Sequence, residues 1–355
     1  MPLKKALATA ARPGMEEWFF TRPVLPVSKR MFPASGSGRV ARDNGTASGH
    51  AAFASAAATN SEGVSLVTNI AIRSSALSVE IAPLGAELQS IRDTAGRDYL
   101  HDGASFWTGR APLLFPIVGS LKNDRHTVGG TAYTLPRHGF ARRCQFRAIE
   151  TSLDRALFRL TDSEETRAGY PYKFQLDAAY SLCGAKLSTT MTVRNTDTRP
   201  IPVAFGFHPA FRWPLPGAGA KLDQAIDFAL DEPGPLTRLN AEGLIACERP
   251  SPVKGRRLAL ADELFGDDAL IFLSLNSRSL RFGPAGGASP ALKIDFESMP
   301  HLGIWTKPGA PFLCIEPWSG YASPDRFSGP LSEKPGSLNL APGEAKVFAM
   351  SVELV

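Results

Sequence analysis

One carboxylate stands out in the stretch APFLCIEPWSG, residues 310–320. Ile315 precedes Glu316, and a proline and Trp318 follow it. A carboxyl group among apolar neighbours loses hydration, which raises its pKa towards neutral pH. Such a group can act as a general base, and we expect Ile315 and Trp318 to limit its contact with solvent. An ion pair with an arginine is the alternative explanation for Glu316.

A histidine lies in a similarly aromatic stretch, AFGFHPAFRWP, residues 204–214. Pro209 favours an extended backbone at His208. The surrounding rings, Phe207 among them, suit the floor of a cleft, where aromatic faces stack on the C–H face of a sugar ring and the imidazole supplies a proton. The alternative is a buried histidine whose ring hydrogen-bonds to a backbone carbonyl.

A third segment, RHGFARR (137–143), combines a histidine with three arginines. Gly139 allows the backbone beside His138 to come close to a ligand, and Arg142 can bind a hydroxyl or an anion through its planar guanidinium group. The alternative is a basic turn between two strands. His126, in contrast, lies in a predicted turn, where a solvated surface position is favoured.

Two histidines and one glutamate on separate segments indicate acid–base chemistry without a metal ion or a covalent intermediate. The sequence has no HxH or HExxH pair and no GxSxG nucleophile elbow. Its cysteines have no CxxC or CxxH spacing, which excludes the common zinc frameworks and favours reduced thiols in a cytoplasmic protein. These cysteines are Cys144, Cys183, Cys247 and Cys314. Spacing alone leaves open whether the three segments meet.

The chain that must position these residues alternates apolar and polar residues with a period of two. Leu77, Val79 and Ile81 alternate with polar residues in the stretch 76–83, and residues 346–354 behave similarly. This period is typical of antiparallel strands with one wet face. Helical periodicity is almost absent, so the predicted fold class is all-β, a large antiparallel β-sandwich or barrel with a cleft on one concave face.

The first 66 residues differ in composition from the rest of the chain. Residues 33–63 are rich in alanine, serine and glycine and lack a sustained apolar period. Such a segment cannot bury enough surface to offset the entropy of ordering it. We therefore predict a disordered extension over residues 1–66 and a single domain over residues 67–355.

The net charge of +5 is concentrated in that extension. Residues 1–66 hold eight of the 39 basic and four of the 34 acidic residues, which leaves residues 67–355 with a net charge of +1. The domain shows no basic stripe with interleaved aromatic residues, so nucleic-acid binding is not indicated. No apolar run approaches the roughly 20 residues of a membrane span, so we expect no membrane association.

Three motifs together carry a resemblance to a known family. They are HGFAR (138–142), FGFHPAF (205–211) and GIWTKPGAPFLCIEPWSG (303–320). These motifs resemble the aldose 1-epimerases, or galactose mutarotase-like proteins, and in particular their LacX-like branch, over residues 68–355. The resemblance implies a β-sandwich enzyme that interconverts the α and β anomers of an aldose by opening and closing the sugar ring. It also implies that no metal or organic cofactor is needed.

The resemblance implies a role for each proton-transfer residue. Glu316 is expected to take the proton of the anomeric hydroxyl, as a general base. His208 is expected to protonate the ring oxygen, as the acid. His138 is the second histidine of the family pattern and is expected to hold a sugar hydroxyl. Ring closure reverses both proton transfers.

Other matched residues are expected to contact the sugar. Arg142 is expected to bind substrate or orient the site, and Asp268, in FGDDALIF, to bind hydroxyls. Phe207 and Trp318 are the aromatic residues expected against the ring. One position departs from the family pattern, because Ser120 stands where many relatives carry an arginine. Another arginine of this chain would then have to bind substrate, or the specificity differs.

Two alternatives remain at this point. A hexose-6-phosphate mutarotase would need cations for the phosphate group, and four arginines are available for that purpose. They are Arg110, Arg142, Arg143 and Arg212. A sugar-binding protein of the same fold without catalysis is the other alternative. In either case the expected partner is a small-molecule aldose or sugar phosphate, and the chain is expected to be a monomer or a homodimer.

Overall fold

The computed structural model describes residues 68–355, so the extension predicted for residues 1–66 lies outside the described part of the chain. The described residues form strands, short 3-10 turns and a single six-residue α-helix. The first twelve strands are β1 (Ile70–Arg73), β2 (Leu77–Ala82), β3 (Glu87–Asp93), β4 (Leu113–Leu114), β5 (Arg125–Val128), β6 (Thr131–Thr134), β7 (Arg147–Thr151), β8 (Arg155–Thr161), β9 (Phe174–Cys183), β10 (Lys186–Asn195), β11 (Ile201–Val203) and β12 (Phe205–Phe207). The remaining strands are β13 (Ala210–Arg212), β14 (Gln224–Phe228), β15 (Leu236–Leu239), β16 (Ile245–Arg249), β17 (Arg257–Ala259), β18 (Leu270–Phe272), β19 (Ser279–Pro284), β20 (Leu292–Asp295), β21 (His301–Trp305), β22 (Phe312–Ser319), β23 (Leu338–Leu340) and β24 (Ala345–Leu354). The helix α1 spans Glu164–Gly169, and the 3-10 turns span Lys122–Asp124, Ala141–Arg143, Lys221–Asp223, Asp262–Phe265 and Leu331–Glu333.

Two large antiparallel sheets dominate the fold. One has the strand order β17-β14-β19-β20-β24-β10-β9-β8-β7, and the other has the order β16-β15-β18-β21-β22-β12-β4, with β13 also paired to β22. Phe205 of the second sheet stacks on Phe348 of the first at a ring distance of 5.2 Å. Phe228 and Phe272 meet across the sheets at 5.5 Å. The predicted all-β sandwich is thereby confirmed.

Sequence alternation produces these sheets directly. In β9 and β10 the residues are alternately buried and partly exposed along most of their length, because successive side chains of a strand point to opposite faces. The tight turn between them contains Gly184 in the left-handed conformation, with φ of 55°, which glycine adopts without steric cost. Among the described residues no helix is long and apolar enough to cross a membrane.

Strand β22 is unusual because all eight of its residues are buried. Leu313 and Ile315 belong to the main core between the sheets. Cys314 and Trp318 belong to two smaller apolar clusters, and Glu316 shares their side of the strand by the two-residue period. One face of β22 therefore supports the sandwich, while the other presents Glu316. The expectation that Ile315 shields Glu316 is wrong, since it lies on the opposite face.

Two short strands pair with the same edge of β22 and place the histidine. In β12, Gly206 pairs with Trp318, and in β13, Ala210 pairs with Cys314. The chain breaks its strand conformation between them, at His208 and the following proline, whose carbonyl accepts a hydrogen bond from the Ile315 backbone at 3.2 Å. His208 is thereby held beside the middle of β22.

Glycines on both neighbouring strands make room for the Trp318 ring. A Cβ atom on Gly303 would lie 2.4 Å from Trp318 Cη2, and one on Gly206 would lie 2.6 Å from Trp318 Cδ1. Neither glycine has a positive φ. These positions therefore need glycine because a larger side chain would not fit. Both positions are fixed by pairing, because Gly206 is opposite Trp318 and Gly303 is opposite Glu316.

We expect Gly303→Ala to destabilise the fold by about 1–3 kcal/mol, because the added methyl group forces a buried indole to move. Chemical unfolding monitored by fluorescence measures this difference. Gly286→Ala is the matched control, since a Cβ there meets nothing within 4 Å and the residue is exposed. Equal stability of the two variants would contradict the packing role of Gly303.

Candidate active site

The structure brings His208 and Glu316 into direct contact. His208 Nε2 lies 3.2 Å from Glu316 Oε2, and their side chains are 9% and 3% exposed. The ring of His138 lies next to this pair, with its centroid 5.7 Å from that of His208. The three segments singled out in the sequence therefore converge on one buried cluster.

Burial decides where the protons of this pair reside. It raises the pKa of Glu316 well above its usual value; the charge of Asp268 adds to this effect, and the charge of Arg137 partly offsets it. Burial, assisted by the charge of Arg142, lowers the pKa of His208 to about 3. Both shifts favour the neutral forms, so the pair holds one proton, on the carboxyl group, and carries no net charge.

His138 is held in a single orientation by its backbone and its ring. Its N–H donates to the Gly119 carbonyl at 2.9 Å, and the Gly119 N–H donates to its Nδ1 at 3.1 Å. The residue adopts a left-handed φ of 66°, which is uncommon for a residue with a side chain. Gly139 follows it, and a Cβ there would lie 2.2 Å from the Phe115 carbonyl oxygen.

The surroundings of His138 also keep its ring neutral. The Arg137 Nε–H approaches its Nε2 at 3.3 Å, and the other ring nitrogen already faces the Gly119 N–H. A second ring proton, on Nδ1, would therefore meet the Gly119 N–H, which is a donor, instead of an acceptor. Burial lowers the pKa of His138 well below its usual value, and the charge of Arg137 lowers it further.

Two tryptophans without a predicted role border the pair. Trp107 stacks on the His208 ring at 5.0 Å with an interplanar angle of 25°, and Trp305 meets that ring edge-on at 6.1 Å. The buried His101 ring hydrogen-bonds to the Trp107 carbonyl at 2.9 Å. Trp305 lies within a motif identified in the sequence, whereas no local pattern marks Trp107.

Arginines form the charged side of the site. The Arg142 guanidinium donates to the Arg137 carbonyl at 3.2 Å, and burial and the neighbouring Arg143 lower the pKa of Arg142 to about 10. Within residues 68–355, no carboxylate forms a salt bridge with Arg137, Arg142 or Arg143. Sequence reasoning missed Arg137, although it directly precedes His138.

The remaining predicted contacts are placed differently. Asp268 is half-buried, and its charge acts on Glu316; its carbonyl accepts a hydrogen bond from Arg238 at 2.8 Å. Trp318 lies on the same strand face as Glu316 and is buried. The structure does not bring Phe207 into this group, because it packs in the main core against Phe205.

Two further positions clarify the sequence predictions. Ser120 is buried, and a Cβ on Gly243 would lie 3.1 Å from Ser120 Oγ and 3.9 Å from Arg137 Nη1. Arg137 thus occupies the space beside the serine that departs from the family pattern. The surface position expected for His126 is wrong, because the residue is 5% exposed and its Nε2 hydrogen-bonds to the Gly169 carbonyl at 2.8 Å.

Comparisons with known proteins identify the family of this chain. Residues 68–242 match the family model described as aldose 1-epimerase. The chromosomal protein LacX of Lactococcus lactis subsp. lactis is 32% identical over 289 residues, which cover 77% of this chain and 95% of LacX.

Solved structures show the same relationship. A galactose mutarotase related enzyme from Lactobacillus acidophilus is 29% identical, with a TM-score of 0.74 over 81% of this chain and 97% of that one. A galactose mutarotase-like protein from Lactobacillus casei ATCC 334 is 30% identical, with a TM-score of 0.72 over 81% of this chain and all of its own.

The family match and the solved structures thus identify an isomerase that acts on a sugar. The chain belongs to the aldose 1-epimerase family.

We expect the rings of His138 and His208 to remain neutral at about pH 5, where an ordinary histidine of pKa near 6.5 is charged. The physical reason is burial beside arginines. Nitrogen-15 NMR of histidine-labelled protein reports the charge of each ring, and His138→Asn and His208→Asn assign the signals. A charged ring at either position at this pH would contradict the electrostatic description.

Proposed function

We propose that this enzyme interconverts the α and β anomers of a hexose, with Glu316 and His208 as the proton-transfer pair. The observation that carries the proposal is their buried contact at 3.2 Å. The raised pKa of Glu316 and the lowered pKa of His208 favour a single proton on this pair. The related structures are described as galactose mutarotase related or mutarotase-like, so D-galactose is the first substrate to test.

A pair with one shared proton supplies both halves of ring opening. The resting proton passes from Glu316 to His208 across the contact, which frees the carboxylate. Glu316 then takes the proton of the anomeric hydroxyl while His208 gives its proton to the ring oxygen, and the bond between C1 and the ring oxygen breaks. Rotation about C1–C2 and the reverse transfers yield the other anomer. The pair ends with the one proton it began with.

The surrounding groups suit the binding of a sugar ring. Trp107 and Trp305 are half-buried beside His208, which leaves part of each aromatic surface available for the apolar face of a sugar. His138 lies next to the pair, with its ring centroid 5.7 Å from that of His208. Asp268 is a candidate acceptor for sugar hydroxyls, and Trp318 is a buried aromatic residue on the same strand face as Glu316.

We expect Glu316→Gln to lower kcat for anomer exchange by about 10²–10⁴, because the amide cannot accept the anomeric proton. Binding of the sugar should persist, since the amide has nearly the same shape. Exchange NMR of galactose and glucose anomers measures the rate, with the exposed Glu150→Gln as the matched control. Unchanged activity of Glu316→Gln contradicts the proposal. Wild-type protein that binds sugar without accelerating exchange would identify the non-catalytic alternative.

A phosphorylated sugar is the second candidate substrate, and it is favoured by the three guanidinium groups of the RHGFARR segment. They have no salt-bridge partner in the described part of the chain, and the charges of Arg137 and Arg142 act on the catalytic pair. Arg110 is less suited to this role, because its guanidinium donates to the Gln89 carbonyl at 2.8 Å. An anionic group on the substrate would pair with cations that are otherwise unpaired.

If the substrate carries phosphate, Arg142→Gln should raise KM for the hexose 6-phosphate by at least about tenfold, since a hydrogen bond to a charged group contributes about 1.5–3 kcal/mol. KM for the free hexose should stay nearly unchanged. Arg155→Gln is the control, because that arginine is exposed beside Asp154. Equal effects on both sugars would exclude phosphate recognition by Arg142.

We also propose a cytoplasmic location, which is supported by the four unpaired cysteines of the described residues. Assembly as a monomer or a homodimer stays a prediction.

A further inference from the structure

Cys314 is a buried thiol beside the catalytic pair that the proposed reaction does not use. It lies two residues before Glu316 on the same face of β22 and pairs across the sheet with Ala210 and Trp305. Its sulfur, an imidazole nitrogen of His208 and a carboxylate oxygen of Glu316 all lie within 4.8 Å of one another. Nitrogen, sulfur and oxygen donors thus converge on one point.

This donor set matches the preferences of a thiophilic divalent cation. Zinc takes tetrahedral cysteine, histidine and carboxylate ligands at about 2.0–2.3 Å, which places neighbouring donor atoms roughly 3.3–3.6 Å apart. His208 Nε2 and Glu316 Oε2 already lie 3.2 Å apart. The Cys314 sulfur, within 4.8 Å of both, needs to approach by no more than about 1.5 Å to complete three ligands.

The charge balance also permits such a complex. A divalent cation would displace the thiol proton of Cys314 and the proton shared by His208 and Glu316, so that thiolate and carboxylate neutralise it. The site is then neutral before and after the cation binds, so binding adds no net charge beside Arg137 and Arg142. The His208 side chain keeps 9% exposure, so the site is not sealed.

We propose that His208, Cys314 and Glu316 form an inhibitory binding site for a thiophilic divalent cation, such as Zn²⁺ or Cd²⁺. The inhibition rests on the proposed function, because the cation would occupy both catalytic groups and remove their shared proton. The binding itself does not depend on that function, since it requires only that the three donor atoms lie close together.

The test uses Cd²⁺ with the full-length protein and measures two quantities. The first is inhibition of anomer exchange and its reversal by a chelator. The second is the ultraviolet thiolate-to-cadmium charge-transfer absorption, which reports bound metal without any need for activity. Wild type should bind one Cd²⁺ at this site and lose activity in proportion. Cys314→Ala should retain anomer exchange, lose the absorption and require at least about tenfold more Cd²⁺ for inhibition, as expected when a ligand is removed.

Matched variants separate this site from other thiols. Cys183→Ser is the control, because Cys183 is exposed, and its metal response should equal that of wild type. His208→Asn keeps Cys314 and should weaken Cd²⁺ binding by at least about tenfold, which tests the site if Cys314→Ala does not fold.

Equal Cd²⁺ inhibition of wild type and Cys314→Ala would overturn the proposal. So would a charge-transfer band that survives in Cys314→Ala and disappears in Cys183→Ser. A wild-type protein without epimerase activity that nevertheless binds Cd²⁺ through Cys314 would reject the proposed function and support the metal site.

Discussion

The candidate site depends on the buried contact between His208 and Glu316. An ionised carboxylate and an imidazolium are each costly to bury, but a neutral pair in contact at 3.2 Å avoids most of that cost. The arrangement keeps a proton donor and a proton acceptor together away from bulk water. Arg137 and Arg142 lie at the edge of this pair, where their charges influence it without forming an ion pair with it.

Strand β22 connects this chemistry with the stability of the sandwich. Leu313 and Ile315 pack between the two large sheets, while Cys314 and Glu316 point the other way. Because the same eight buried residues serve both purposes, the carboxylate is fixed by the core beneath it. The break between β12 and β13 then sets the imidazole against it.

Much of the fold follows from the sequence, because alternation with a period of two is a local property. The strands around Leu77 and the hairpin of β9 and β10 are examples. The sandwich also follows, since such strands bury one face. His126 shows the limit of this reasoning, because its burial depends on contact with Gly169 from a distant part of the chain.

The residues of the candidate site that lie in sequence motifs could be predicted. Those that only the tertiary fold brings to the site could not. Glu316, His208 and His138 are marked by their neighbours in sequence, although their convergence required the pairing of β12, β13 and β22. Trp107 lies in an irregular segment without a pattern, and it reaches His208 only in the folded chain. Phe207 shares the motif of His208, but the strand period turns it into the core.

The central claim is that His208 and Glu316 act as one proton-sharing unit. The most direct measurement is the anomer-exchange rate of Glu316→Gln, His208→Gln and the double variant at saturating sugar. Groups that act as a unit are not additive, so the double variant should be no slower than the slower single variant, within about threefold. Losses that multiply in the double variant would show that the two residues act independently and would contradict the account.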